Sequence, residues 1–232
     1  MEEKRDPRLI ILAVFALITV GVVAAILISR GGGDDGDSGA TASAAADNAS
    51  GCEEVEAPPP KRVKLDAPEQ TLEEGEEVTA VVDTSCGTFE IALDTTQAPK
   101  TANSFAYLAE EGFYDDLTFH RVAPGFVIQG GDPLGTGTGG PGYSVDEKPP
   151  SNLSYTKGTV AMAKSSAEPP GRSGSQFYVV TAPADAGLPP EYALVGKVTE
   201  GYPVVARIDK LGDESEQPKQ TVLIEAITIE KG

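Results

Sequence analysis

Residues 119–133 read FHRVAPGFVIQGGDP and place Arg121, Phe126 and Gln129 within one short run. That is a fixed cation, an apolar wall and an amide able to donate and accept. The run offers no evident nucleophile and no set of metal ligands. Such a site can bind and polarise a peptide group but has little means to cut one. His120, the sole histidine, invites an acid–base role beside Arg121. Strand alternation sends adjacent side chains to opposite faces. With Arg121 facing outward, His120 is expected in the interior as a hydrogen-bonded core residue. A Ser–His–Asp hydrolase would need a serine on a G-x-S-x-G elbow, and none occurs. A zinc centre lacks ligands.

Those three side chains need a rigid sheet beneath them. Val78 to Thr84 and Thr88 to Leu93 are rich in β-branched and alternating apolar residues and predict a hairpin. Pro99 to Glu111 predicts a helix: proline suits its first turn, Ala102, Phe105, Leu108 and Ala109 form its stripe, and Gly112 stops it. Tyr114 to Gly131 holds two or three strands. Further strands are expected over 158–163, 176–180, 193–198 and 222–230, with a second short helix after Gly201 marked by Val204, Val205, Ile208 and Leu211. Many short strands, two helices and glycine-rich turns indicate a closed antiparallel β-barrel rather than a βαβ fold. Gly137 to Gly142 satisfies G-x-G-x-x-G, but no strand-to-helix passage surrounds it. It predicts a loop, not a dinucleotide site.

The net charge of -18 argues against nucleic acid, whose phosphates demand clustered Lys and Arg. Residues 9–28 are free of charge and long enough to span a bilayer core of about 30 Å. Lys4, Arg5 and Arg8 precede the stretch and Asp34, Asp35 and Asp37 follow it, which predicts a cytoplasmic N-terminus over residues 1–8 and a C-terminal domain outside the membrane. Residues 29–77 are acidic and poor in large apolar side chains, so a disordered linker is expected there. The short basic island Lys61-Arg62-Val63-Lys64 within it is expected to lie solvated or against the acidic domain surface. Cys52 and Cys86 are the only two cysteines. They are either a disulfide tying the linker's end to the domain or two free thiols.

The run 119–133 is similar to the signature of the cyclophilin-type peptidyl-prolyl cis-trans isomerases. GTGTGGPGY, GTVAMAKS, GSQFYVV and ALVGKVTEG follow in that family's order. The resemblance covers residues 78–232 and points to a bacterial, membrane-anchored form. It implies a mainly β fold: a closed eight-stranded antiparallel β-barrel capped by two helices, here preceded by a transmembrane helix and a disordered linker. It implies a rotamase for X-Pro bonds of exported or unfolded proteins. Proline-containing polypeptides would be its partners. No cofactor is implied, and nothing calls for more than a monomer. The alternative on the same fold is a non-catalytic proline-peptide binding module or chaperone.

By that resemblance Arg121 is the catalytic arginine and Phe126 the floor of the proline pocket. Val127 stands where a longer apolar residue is common, so that wall should be shallower. Gln129 and Gln176 are the groove amides. Ala163 and Lys164 hold the residue before proline, with Lys164 replacing a usual asparagine and adding charge at the groove's rim. Tyr178 flanks the pocket. Leu188 and Tyr192 complete it from a loop that lacks the tryptophan many members carry.

Overall fold

The computed structural model describes residues 50–232, all within one compact unit. The predicted span over 9–28 lies outside the described residues. Among the described residues no helix is long and apolar enough to cross a membrane.

The hairpin forms where alternation predicts it. Strand β1 (Val78–Thr84) turns inward Val78, Ala80, Val82 and Thr84, and β2 (Gly87–Leu93) turns inward Phe89, Ile91 and Leu93. Helix α1 (Pro99–Glu110) starts on its proline and buries Ala102, Phe105, Leu108 and Ala109. Then come β3 (Leu117–Thr118), β4 (Arg121–Ala123), β5 (Val127–Gly130), β6 (Val145–Asp146), β7 (Thr159–Met162), β8 (Arg172–Ser173), β9 (Phe177–Val180) and β10 (Leu194–Glu200). Helix α2 (Tyr202–Asp209) buries Val205 and Ile208, and β11 (Leu223–Lys231) closes the order. Among the described residues, nine strands form one antiparallel sheet in the order β3-β11-β1-β2-β10-β7-β9-β5-β4, and β6 pairs with β8 apart from it.

The closed eight-stranded barrel is therefore corrected to a curled, open sheet. Its edge strands β3 and β4 are neighbours in the chain, but no ladder joins them. Phe119 and His120 break the run between them, and the Phe119 N–H goes to the Val222 carbonyl instead (3.0 Å). The same break corrects His120. Alternation cannot be counted across it, so Phe119 and Val122 are the fully buried neighbours, while His120 is half-buried. Its ring nitrogens are buried with no hydrogen-bond partner among the described residues. Burial holds the imidazole below its usual pKa, against the opposing pull of Asp132.

The linker expectation also changes from residue 50 onward. Cys52 is bonded to Cys86, and Glu53 N–H donates to the Ser85 carbonyl (2.7 Å). Lys61 and Leu65 donate their N–H groups to the carbonyls of Pro133 and Pro141, each at 2.7 Å. Lys61 also pairs with Asp116 at 3.6 Å, so this end of the basic island rests on acidic surface. The buried Asn103 accepts from Thr71 N–H (2.8 Å) and Leu72 N–H (3.0 Å) and donates to the Glu69 carbonyl (2.9 Å). Residues 50–77 are thus an extended strap. They build no core of their own, yet Val63, Leu65 and Leu72 pack against the domain's core.

Two apolar layers flank the β7-β9-β5-β4 part of the sheet. On one face Val122, Ile128, Val160, Met162, Phe177 and Val179 join the main core with Phe105 and Leu108. On the other, Ala123, Val127, Ala161, Tyr178 and Val180 form a separate buried patch. A period of two in each strand produces this division. The second patch sits apart from the main core, on the outer face of the curled sheet.

Candidate active site

Register carries the site's geometry. Arg121 pairs with Gln129 across β4 and β5, Gln129 with Tyr178 across β5 and β9, and Tyr178 with Ala161 across β9 and β7. These residues share one row and hence one face, the outer one. Beyond Gly130, Gly131 takes φ 80°, and a Cβ there would meet the Ser175 carbonyl oxygen at 2.6 Å. Only glycine lets the end of β5 come this close to the segment that carries Gln176.

The polar half of the row is a connected chain. The Arg121 Nη1 donates to Gln129 Oε1 (3.2 Å), Gln129 Nε2 donates to Gln176 Oε1 (3.1 Å), and Gln176 Nε2 donates to the Gly139 carbonyl (2.9 Å). At the other end Arg121 Nε donates to Glu216 Oε2 at 2.6 Å. The guanidinium spends two of its donors on these partners.

The apolar half lies alongside. Phe126, Ala163, Leu188 and Tyr192 pack partly buried onto the patch of Val127, Tyr178, Val180 and Tyr155. Tyr178 and Tyr192 meet edge to face at 5.8 Å. The Tyr178 hydroxyl is buried with no hydrogen-bond partner among the described residues. Burial, then Tyr155 and Tyr192, push its pKa far up. A groove of about 590 Å³ continues from Phe126 and Ala123 past Pro124 to Asp213, Glu214, Glu216 and Lys219.

Every sequence-predicted groove residue lies at this face, and one differs from its expected form. Val127 is part of the patch itself, at 2 % exposure. Lys164 adds no free charge to the rim. Its side chain is only 6 % exposed, pairs with Glu191 at 3.4 Å and donates to the Glu168 carbonyl at 3.2 Å. It braces the loop after Ala163 against the segment carrying Tyr192.

Two further residues carry no local signal in the sequence. Glu216 reaches Arg121 from 95 positions away. Tyr155 is fully buried, and its hydroxyl donates to the Tyr192 carbonyl (2.6 Å) and accepts from the Tyr192 N–H (3.0 Å). Burial pushes the Tyr155 pKa from 10.0 up to about 12. The folded state thus holds this proton more tightly than the unfolded state does. The stability it contributes is intact below pH 10 and is lost between pH 10 and about 12. Urea midpoints of wild type and Tyr155→Phe should therefore converge as pH rises through that window. A gap that stays constant across it would reject the assignment.

Comparison with known proteins decides the family. The model for "Cyclophilin type peptidyl-prolyl cis-trans isomerase/CLD" matches residues 79–229. This chain belongs to the cyclophilin-type peptidyl-prolyl cis-trans isomerases. The cyclophilin domain is 36 % identical over 156 residues to the peptidyl-prolyl cis-trans isomerase-like 1 of Aspergillus oryzae, covering 65 % of this chain and 94 % of that one. It is 46 % identical over 113 residues to the peptidyl-prolyl cis-trans isomerase B of Bacillus subtilis, covering 48 % and 76 %. A Cryptosporidium parvum cyclophilin-type isomerase superposes with a TM-score of 0.61 at 32 % identity, over 68 % of this chain and 99 % of that one. The same protein in the presence of the dipeptide Ala-Pro superposes with a TM-score of 0.60. These relatives come from Aspergillus, Bacillus and Cryptosporidium, so the match is to the isomerase domain and not to a bacterial or membrane-anchored subtype. As a member of this family the chain is a peptidyl-prolyl cis-trans isomerase.

Proposed function

We propose that the outer-face row is the working site and that it acts on X-Pro bonds of exported or unfolded polypeptides. The single observation that carries this reading is the meeting of the Arg121–Gln129–Gln176 chain with the apolar patch of Phe126, Val127, Tyr178, Leu188 and Tyr192. A proline ring suits the patch, and the flanking amides suit the amide chain. The related structure obtained in the presence of the dipeptide Ala-Pro supports a proline-containing ligand. Ala163 borders the patch where the residue before proline would lie.

The barrier to rotation, about 18–20 kcal/mol, comes from conjugation of the amide nitrogen with its carbonyl. As the bond twists, the prolyl nitrogen becomes pyramidal and regains a lone pair. A guanidinium N–H can then donate to it, which the planar ground state does not allow. An interaction made only in the twisted state lowers the barrier rather than deepening the bound state. Gln129 holds Arg121 over the pocket, and no covalent step or cofactor is needed. The test is a cis-to-trans assay on a proline peptide. Binding of the peptide without acceleration would favour the non-catalytic binding module instead.

We extend the proposal to a single-pass anchor over residues 9–28 with the domain outside the cytoplasm and acting as a monomer. The uncharged twenty-residue stretch and its flanking charges support the anchor. The Cys52–Cys86 disulfide supports an oxidising compartment. Protease added to intact cells should degrade the domain. Full protection until lysis would overturn the orientation.

A further inference from the structure

We propose that Glu216 is a positioning residue for catalysis: its carboxylate fixes the Arg121 guanidinium in the orientation that meets the twisting prolyl amide. This rests on Arg121 being the polarising group.

Arg121 stands on a three-residue edge strand with its side chain 30 % exposed. An arginine so placed samples many rotamers unless something holds it. Gln129 grips one end of the fork through Nη1, and Glu216 grips Nε. Two contacts on different nitrogens of a rigid plane define its tilt as well as its place. Among the described residues nothing else engages the guanidinium, which leaves its remaining donors for a substrate.

The loop that delivers Glu216 is built for that contact. Glu216 itself has φ 61°, a left-handed conformation unfavourable for a residue with a Cβ. The conformation is held from inside the loop. Asp213 Oδ1 accepts from the N–H groups of Ser215 (2.8 Å) and Gln217 (3.0 Å) and from the Ser215 hydroxyl (2.6 Å). Asp213 N–H returns to the Gln217 carbonyl (3.0 Å), and Glu216 N–H to the Asp213 carbonyl (3.0 Å). The Glu216 carbonyl in turn accepts from Val122 N–H at 2.9 Å, next to Arg121 on β4. One residue therefore seals the free edge of β4 with its backbone and clamps the guanidinium with its side chain. A loop needed only to cover the edge would use the backbone bond alone and could place a glycine at this φ.

The alternative is that the pair is a surface ion pair of no catalytic consequence, since exposed pairs contribute little to stability. A stability measurement cannot separate the two readings, but kinetics can. The experiment compares full-length wild type, Glu216→Ala, Glu216→Gln and Arg121→Ala on one proline tetrapeptide, with ¹⁵N NMR of the Arg121 Nε–H. Misorientation of a reacting group by an ångström costs up to about 10²-fold, so Glu216→Ala should lose about tenfold in kcat with KM changed less than about twofold. Glu216→Gln keeps an acceptor oxygen and should recover most of that loss. The Arg121 Nε–H resonance should be sharp and slowly exchanging in wild type and in Glu216→Gln, and broadened in Glu216→Ala. The melting temperature of all three should stay close. If Glu216→Ala retains wild-type kcat, or loses rate only in proportion to KM, the proposal fails while the Arg121 reading stands. If Arg121→Ala itself keeps wild-type activity, both fall together.

Discussion

Replacing Arg121 with alanine should lower kcat/KM for a cis-proline peptide by about 10²–10³-fold, the usual loss when one preorganised donor to developing charge is removed. The loss should fall mainly on kcat. Binding of the proline ring depends on the apolar patch around Phe126, Val127 and Tyr178, which the substitution leaves in place. Stability should hardly move, because Arg121 belongs to no core cluster and its ion pair with Glu216 is partly exposed. Arg121→Lys is the sharper probe. It keeps the charge but has one nitrogen where the guanidinium engages Glu216 and Gln129 from two. Activity between wild type and alanine would show that orientation matters as well as charge. A coupled cis–trans assay with circular dichroism on the same samples decides the matter. An alanine variant that is folded and still above half the wild-type rate would remove Arg121 from the mechanism.

Much of this site was legible because its parts are local. Arg121, Phe126 and Gln129 lie on one hairpin, and two strands joined by a short turn bring nearby residues into register. The period of two then explains why Gln129, Tyr178 and Ala161 share a face. What was not legible depends on distant loops or on interrupted strands. Glu216 reaches Arg121 through a loop held by the Asp213 carboxylate, and nothing in a run of acidic residues distinguishes one that faces an arginine from one that faces water. The inference for His120 assumed an unbroken strand, and the break at Phe119 removed the premise. Lys164 appeared as a rim charge because length and charge alone do not show that a side chain folds back onto Glu191.

The strap shows a different limit. Composition correctly says that residues 50–77 cannot build a core, but a segment can be ordered by borrowing one. Its order rests on a few backbone bonds, three apolar anchors and one covalent link. The link should carry most of the effect. Cys52 and Cys86 are 34 positions apart, and closing a loop of that size removes about 3–4 kcal/mol of unfolded-state entropy. Lys61, Leu65, Thr71 and Leu72, whose N–H groups reach Pro133, Pro141 and Asn103, all lie inside that loop. Without the bond they would have to hold the strap unaided, each giving only about 0.5–1.5 kcal/mol net. Substituting both cysteines by serine should therefore lower the melting temperature by about 6–16 °C for a domain of this size. Amide exchange should speed up first at Leu65 and Leu72, while the amides of β5 and β9 keep their protection. Activity below the melting transition should fall only modestly, through the loop between Pro133 and Pro141 whose Gly139 carbonyl holds Gln176. Calorimetry of wild type against the double serine variant is the measurement. A shift under about 2 °C would mean that the noncovalent contacts alone order the strap and that the disulfide adds little to stability.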